Sequence, residues 1–129
     1  MSAGLGYWSM HLVPPERAHR RVIDGNRVCS AIEALEDQAA ILHWANRFSV
    51  LADLTRLKVL TCIKVAGPIS VSDLAAAADL NDDTTSQALR HLRASQAVTT
   101  ERDGRVVRYR IADPSIEYLL DLVASPAPT

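Results

Sequence analysis

Residues 81–111 read NDDTTSQALRHLRASQAVTTERDGRVVRYRI, and the apolar period changes part-way along. Asn81, Asp82 and Asp83 are residues that cap a helix start, because a short side-chain oxygen can accept from an orphan backbone N–H. Leu89 and Leu92 then share one helical face, while Thr84, Ser86, Gln87 and Arg90 lie toward the other. This predicts a helix running to about Gln96. After Ala97 the pattern becomes β-like. Val98–Arg102 and Arg105–Ile111 alternate or carry β-branched residues. Asp103-Gly104 between them predicts a hairpin, since glycine adopts positive φ at little cost.

Working upstream, Ser70 can begin a short helix, Val71–Ala78. Two short helices joined by a tight turn form a helix-turn-helix. Asp53 can cap a further helix with Leu57, Leu60 and Ile63 inward, ended by Gly67-Pro68. Ser30 and Glu33 fit a capping box. Ile32, Leu35, Ala39, Leu42, Ala45 and Phe48 continue it as one apolar stripe, predicting a helix of about 20 residues. Residues 16–28 read as a short helical turn followed by a loop, and residues 1–14 as irregular. Downstream, Pro114 stops the strand, and Ile116, Leu119, Leu120 and Val123 make a short amphipathic helix. Residues 125–129 hold two prolines and are expected to fray. The expected organisation is an N-terminal extension (1–29), one domain (30–124) and a tail (125–129). The fold class is mostly α with a β-hairpin wing: a winged helix-turn-helix, expected to be dimeric.

The totals agree with one ordinary globular domain: 129 residues, 48% hydrophobic and 22% charged. The net charge of −1 does not advertise nucleic acid. Its distribution does. Residues 86–110 hold six arginines (Arg90, Arg93, Arg102, Arg105, Arg108 and Arg110) against Glu101 and Asp103, and phosphates are met by a patch rather than by the sum. No signal-peptide pattern is present, and no apolar run reaches the roughly 20 residues of a membrane span. The expectation is a cytoplasmic protein without a membrane partner.

In a winged motif the second helix enters the major groove and the basic wing reaches the backbone. Thr84, Thr85, Ser86, Gln87, Arg90 and Arg93 on the helix are therefore candidate DNA contacts, with Arg102, Arg105, Arg108 and Arg110 on the wing. Glutamine can pair bidentately with adenine and arginine with guanine. Alternation places Arg108 and Arg110 on one strand face as a row for phosphates. Alone, either piece is a solvated helix or a charged hairpin; adjacent and in this order they point to double-stranded DNA. The chain shows no phosphate loop, H-E-x-x-H or nucleophile elbow, so an enzyme is not expected. The other reading is a winged helix that docks a protein partner instead of DNA, and the basic wing argues against it.

Residues 51–60 (LADLTRLKVL), 69–75 (ISVSDLA), 86–93 (SQALRHLR) and 102–110 (RDGRVVRYR) together resemble the ArsR/SmtB family of bacterial repressors. The resemblance spans about residues 40–123. It implies a homodimer built on the first and last helices, a palindromic operator, and release from DNA by an effector. Ile32, Leu35, Leu42, Ile116, Leu119, Leu120 and Val123 are the expected dimerisation residues. The sequence departs from the family pattern at several places. Leu54 stands where many members have proline, and Ala88 where many have histidine. Ser70-Val71-Ser72 replaces the arsenic-type Cys-x-Cys, and Asp113 is followed by no histidine of a zinc-type site.

Two cysteines remain, Cys29 and Cys62. Family members that sense soft metals, reactive sulfur or oxidants often use one cysteine near Cys62 and another elsewhere, which makes the pair a candidate metal or redox site. A thiophilic divalent metal is the cofactor this implies, with His11, His19 and His43 as further candidate ligands. The competing reading is that Cys62 is a small buried hydrophobe and Cys29 incidental. His91 is expected to pack or meet phosphate.

Overall fold

The computed structural model describes residues 13–17 and 19–125. Expectations for His11, for the irregular stretch up to residue 12 and for the tail from 126 lie outside them. The chain divides into two compact units, Met1–Trp44 and Ala45–Thr129.

In the first unit, a single 3-10 turn at Pro15–Arg17 precedes helix α1, Gly25–Glu33. Helix α2, Gln38–Leu51, starts here and runs into the second unit. The single long helix expected from Ser30 is corrected to these two. Asp24 caps α1 by accepting from Arg27 N at 3.2 Å, which places Ser30 inside the helix rather than at its start. The chain breaks over residues 34–37, and Asp37 restarts it by accepting from Ala40 N at 2.9 Å. A carboxylate that can satisfy an orphan N–H is a start signal wherever it falls, and here two aspartates outcompete the serine. The loop expected before Val28 is helical for the same reason.

The second unit follows the expected order closely. Helix α3 spans Leu54–Ala66, strand β1 Ile69–Ser70, helix α4 Val71–Ala78 and helix α5 Asp82–Ala94. Strands β2 (Val98–Asp103) and β3 (Val106–Ile111) form the hairpin, and helix α6 covers Pro114–Ala124. The N-caps at Asp53, Ser70, Asn81 and Asp113 each accept from a backbone N–H two or three residues on. Asp113 is followed by proline at the first helical position, where a missing N–H costs nothing.

The sheet is antiparallel in the order β1-β3-β2. Strand β1 was not anticipated: Ile69 and Ser70 pair with Tyr109 and Arg108 and tie the wing to the start of α4. Gly67 is needed where α3 ends. A Cβ there would come within 2.5 Å of the Ile63 carbonyl oxygen and 3.3 Å of that of Tyr109. In the hairpin, Asp103 pairs with Val106, so the two-residue loop is Gly104-Arg105, one residue later than expected, with Gly104 at φ +63°.

One core holds the second unit together. Val59, Leu60 and Ile63 of α3 pack with Leu74, Leu89, Leu92, Val98, Ile116 and Leu120. At roughly 1.5–3 kcal/mol per fully buried large side chain, this cluster supplies the main driving force for folding. The core also takes in three of the expected dimerisation residues. Ile116, Leu119 and Leu120 are covered by this chain itself, at 0%, 8% and 2% exposure, so a second copy is not needed to bury them. The apolar surface left open on α6 is Tyr118, Leu122 and Val123.

Candidate nucleic-acid interface

Helix α5 is held from three directions. Leu89 and Leu92 anchor its inner face in the core, Asn81 caps its first turn through Thr84 N at 2.7 Å, and the turn before it is set by Asp79. Asp79 takes the left-handed conformation (φ 56°) that ends α4, and the next amide, Leu80 N, donates to Ala75 O. The helix is thus fixed by its inner face, its cap and the turn before it, as a surface that must meet a partner in register requires.

The helix surface sorts as expected, with one correction. Gln87 and Arg90 are exposed, and Thr84 and Ser86 are half-buried. Thr85 is fully buried, and its hydroxyl donates to Asn81 O at 2.9 Å. Helical periodicity turns it inward, so it belongs to the helix anchor and cannot touch DNA. His91 is exposed and lines a small cleft of about 280 Å³ with Thr55, Arg56, Thr84 and Gln87, between the start of α3 and α5. Arg56 has its guanidinium engaged: Nε and Nη2 donate to Val50 O and Ser49 O at 3.0 and 2.9 Å.

The wing is less purely basic than its arginine count suggests. Arg102, Arg105 and Arg110 are exposed, and Arg108 is half-buried. On the face of the hairpin that carries Arg108 and Arg110, the register places Glu101 opposite Arg108. Asp103, on the same face, accepts from Arg108 Nη1 at 2.8 Å. The expected phosphate-facing row is therefore charge-compensated at Arg108, while Arg102, Arg105 in the loop and Arg110 have no ion pair among the described residues. A broad depression of about 650 Å³ runs between the wing and the two helices. It is lined by Arg105 and Arg108 of the wing and by Ser70, Ser72, Ser86 and two carboxylates, Asp73 and Asp82.

Arg93 stands apart from this surface. It lines a separate cleft with Arg47, Gln96, Thr99 and Asp113 at the far end of α5. Arg47 pairs with Asp113, whose other oxygen accepts from Ser115 N at 2.8 Å. Sequence reading missed this pair, since nothing local links α2 to the start of α6.

The two family metal patterns do not fit these residues. Ser70 and Ser72 offer hydroxyls in place of thiolates, with Ser70 Oγ capping α4. Both oxygens of Asp113 are engaged as just described. Among the described residues no group of three or more His, Cys, Asp or Glu side chains is gathered in one place. Cys29 is buried in the first unit; Cys62 is half-buried in the second and lines an apolar cleft of about 520 Å³ with Leu54, Leu57 and Val123. His19 is exposed and His43 half-buried, with the His43 ring edge-on to Trp44 at 5.2 Å. No helix among the described residues is long and apolar enough to cross a membrane.

The MarR family matches residues 53–107, the helix-turn-helix and most of the wing. The HTH-type transcriptional regulator NmtR of Mycobacterium tuberculosis is 35% identical over 85 residues, 66% of this chain and 70% of NmtR. A transcriptional repressor SmtB homolog from Synechocystis is 38% identical over 88 residues, 68% of this chain and 64% of its own length. Among solved structures, the homodimeric winged helix-turn-helix DNA-binding domain of a possible ArsR-family regulator from Mycobacterium bovis superposes with a TM-score of 0.58. It is 31% identical, covering 69% of this chain and 82% of that one.

Proposed function

The chain belongs to the ArsR/SmtB family of winged helix-turn-helix transcriptional regulators, and from that premise we propose that it is a cytoplasmic, homodimeric repressor of a palindromic operator, released by an effector. It is a regulator and not an enzyme. The observation that carries the reading is the pairing of an exposed, polar α5 face with an adjacent wing whose Arg105 has no acidic partner among the described residues. Gln87 and Arg90 read base edges; Thr84, Ser86, Arg102, Arg105 and, more weakly, Arg108 and Arg110 meet the backbone. Arg93 is a peripheral contact at most, given its place in a separate cleft.

Dimerisation uses apolar residues that the chain leaves open: Leu35, Ile41, Leu42 and Phe48 in the 35–48 segment, and Tyr118, Leu122 and Val123 on α6. Ile32, half-buried, borders the first set. Exposed apolar surface of this kind marks an interface in a soluble protein, and the related Mycobacterium bovis domain is homodimeric. Two reading helices then lie about one DNA turn apart, roughly 34 Å.

For the effector, Cys29 and Cys62 are the candidates: two thiols can take a soft metal ion, reactive sulfur or an oxidant. The test is a footprint and affinity measurement on the chain's own upstream region against random duplex, over a salt series. Protection of an inverted repeat with a specificity ratio well above one supports the reading. Equal affinity for both duplexes with no salt dependence overturns it and leaves a protein-docking module.

A further inference from the structure

The cleft at the far end of α5 has features that DNA reading does not use. It measures about 500 Å³ and is lined by Arg47 of α2, Arg93 of α5, Gln96, Thr99 of β2 and Asp113. Two guanidiniums face one carboxylate, which leaves one positive charge uncompensated. The carboxylate is also divided. Asp113 Oδ1 accepts from Ser115 N, and Oδ2 touches Arg47 Nε. Arg47 Nε is thereby engaged by the carboxylate, while the terminal nitrogens of Arg47 have no acceptor among the described residues.

Arg93 is exposed and has no ion pair among the described residues. Gln96, held at φ 64° where the chain turns from α5 into β2, and Thr99 add an amide and a hydroxyl to the rim. Planar guanidinium forks are the groups that hold planar or tetrahedral oxyanions bidentately.

We propose that this cleft is a binding site for a small oxyanion, a phosphate or carboxylate group carried by a small molecule, held between Arg47 and Arg93. Its oxygens accept from Arg93 and from the terminal nitrogens of Arg47, whose Nε stays with Asp113. The site is separate from the base-reading face: α6 walls it through Asp113 and Pro114, and it lies at the opposite end of α5 from the Asn81 cap. The anion bridges α2 to the junction of α5 and β2.

The test uses the full ¹⁵N-labelled chain without DNA, so its outcome does not depend on the regulator reading. Inorganic phosphate and acetate are titrated separately at constant ionic strength, with chloride as the balancing salt. The expected result is saturable, millimolar shifts of the Gln96, Thr99 and Ala112 amides and of the Arg47 and Arg93 side-chain N–H signals. The two probes rank phosphate against carboxylate chemistry. Arg93→Ala, a surface change that does not threaten the core, weakens binding by about tenfold, the worth of one charged hydrogen bond. Arg47→Lys, which keeps the charge but loses the fork, weakens it as well. Lys58→Ala, an exposed cation outside the cleft, leaves binding unchanged. The proposal is overturned by non-saturating shifts, by equal shifts in Arg93→Ala, or by shifts confined to Gln87, Arg90 and Arg105, which would place the anion on the DNA-reading face instead.

Discussion

Arg105→Ala and Arg108→Ala change the same residue type on the same hairpin, yet they are expected to differ in their effect on DNA binding. Arg105 stands in the loop without an acidic partner among the described residues, while Arg108 is bonded to Asp103 at 2.8 Å and faces Glu101 across the strands. Each arginine that newly neutralises a phosphate releases counterions, and log K falls with log salt by about 0.9 per contact. Removing Arg105 from both wings of a dimer therefore flattens the slope by about 1.8, which over a fourfold salt range is roughly a twelvefold change in the mutant-to-wild-type ratio. Arg108 is different because it must first exchange Asp103 for phosphate. The exposed pair is weak, under about 1 kcal/mol, so the exchange can occur. The freed carboxylate then takes up a cation, which cancels most of the release. Arg108→Ala should flatten the slope by less than half as much. Asp103→Asn should steepen it and tighten binding to any duplex. The assay is fluorescence anisotropy on random duplex across a salt series, with all three variants beside wild type. If Arg108→Ala flattens the slope as much as Arg105→Ala, or Asp103→Asn has no effect, the charge compensation seen in the wing does not govern DNA contact. An unchanged slope in Arg105→Ala would remove the wing from the interface.

Other outcomes follow from named contacts. Gln87→Ala and Arg90→Ala should each lose about 1–3 kcal/mol of discrimination between operator and random DNA while leaving the salt slope close to wild type; competition binding measures this. Thr85→Val should cost about 1 kcal/mol of stability by denaturant titration, through the lost bond to Asn81 O, with operator affinity of the folded protein unchanged. Leu60→Ala, at a position with no exposure, should cost about 2–5 kcal/mol by the same titration. Cys29→Ser and Cys62→Ser should each keep operator binding but lose its weakening by Cd²⁺, Hg²⁺ or a mild oxidant; a wild type that ignores all three agents would make both cysteines structural.

The sequence alone determined the part of this protein built from local rules. A cap residue needs only the next turn of its own helix, so Asp53, Ser70 and Asn81 announced α3, α4 and α5, and a change of apolar period announced the wing. Gln87 and Arg90 were legible because they sit opposite Leu89 and Leu92 on one helix. Local rules also compete, and there sequence reading failed: Asp24 and Asp37 displaced Ser30 as helix starts because a carboxylate at either place satisfies an orphan N–H equally well. The contacts that sequence spacing could not reveal join residues far apart in the chain. Strand β1 forms because β3 offers Ile69 and Ser70 an open edge. Ile116 and Leu120 are covered by this chain because α3 lies against α6. Arg47 and Asp113, sixty-six positions apart, meet because α2 passes the start of α6. Pairing, burial and charge compensation depend on which surfaces meet in space, and one-dimensional spacing carries that information only within a single element.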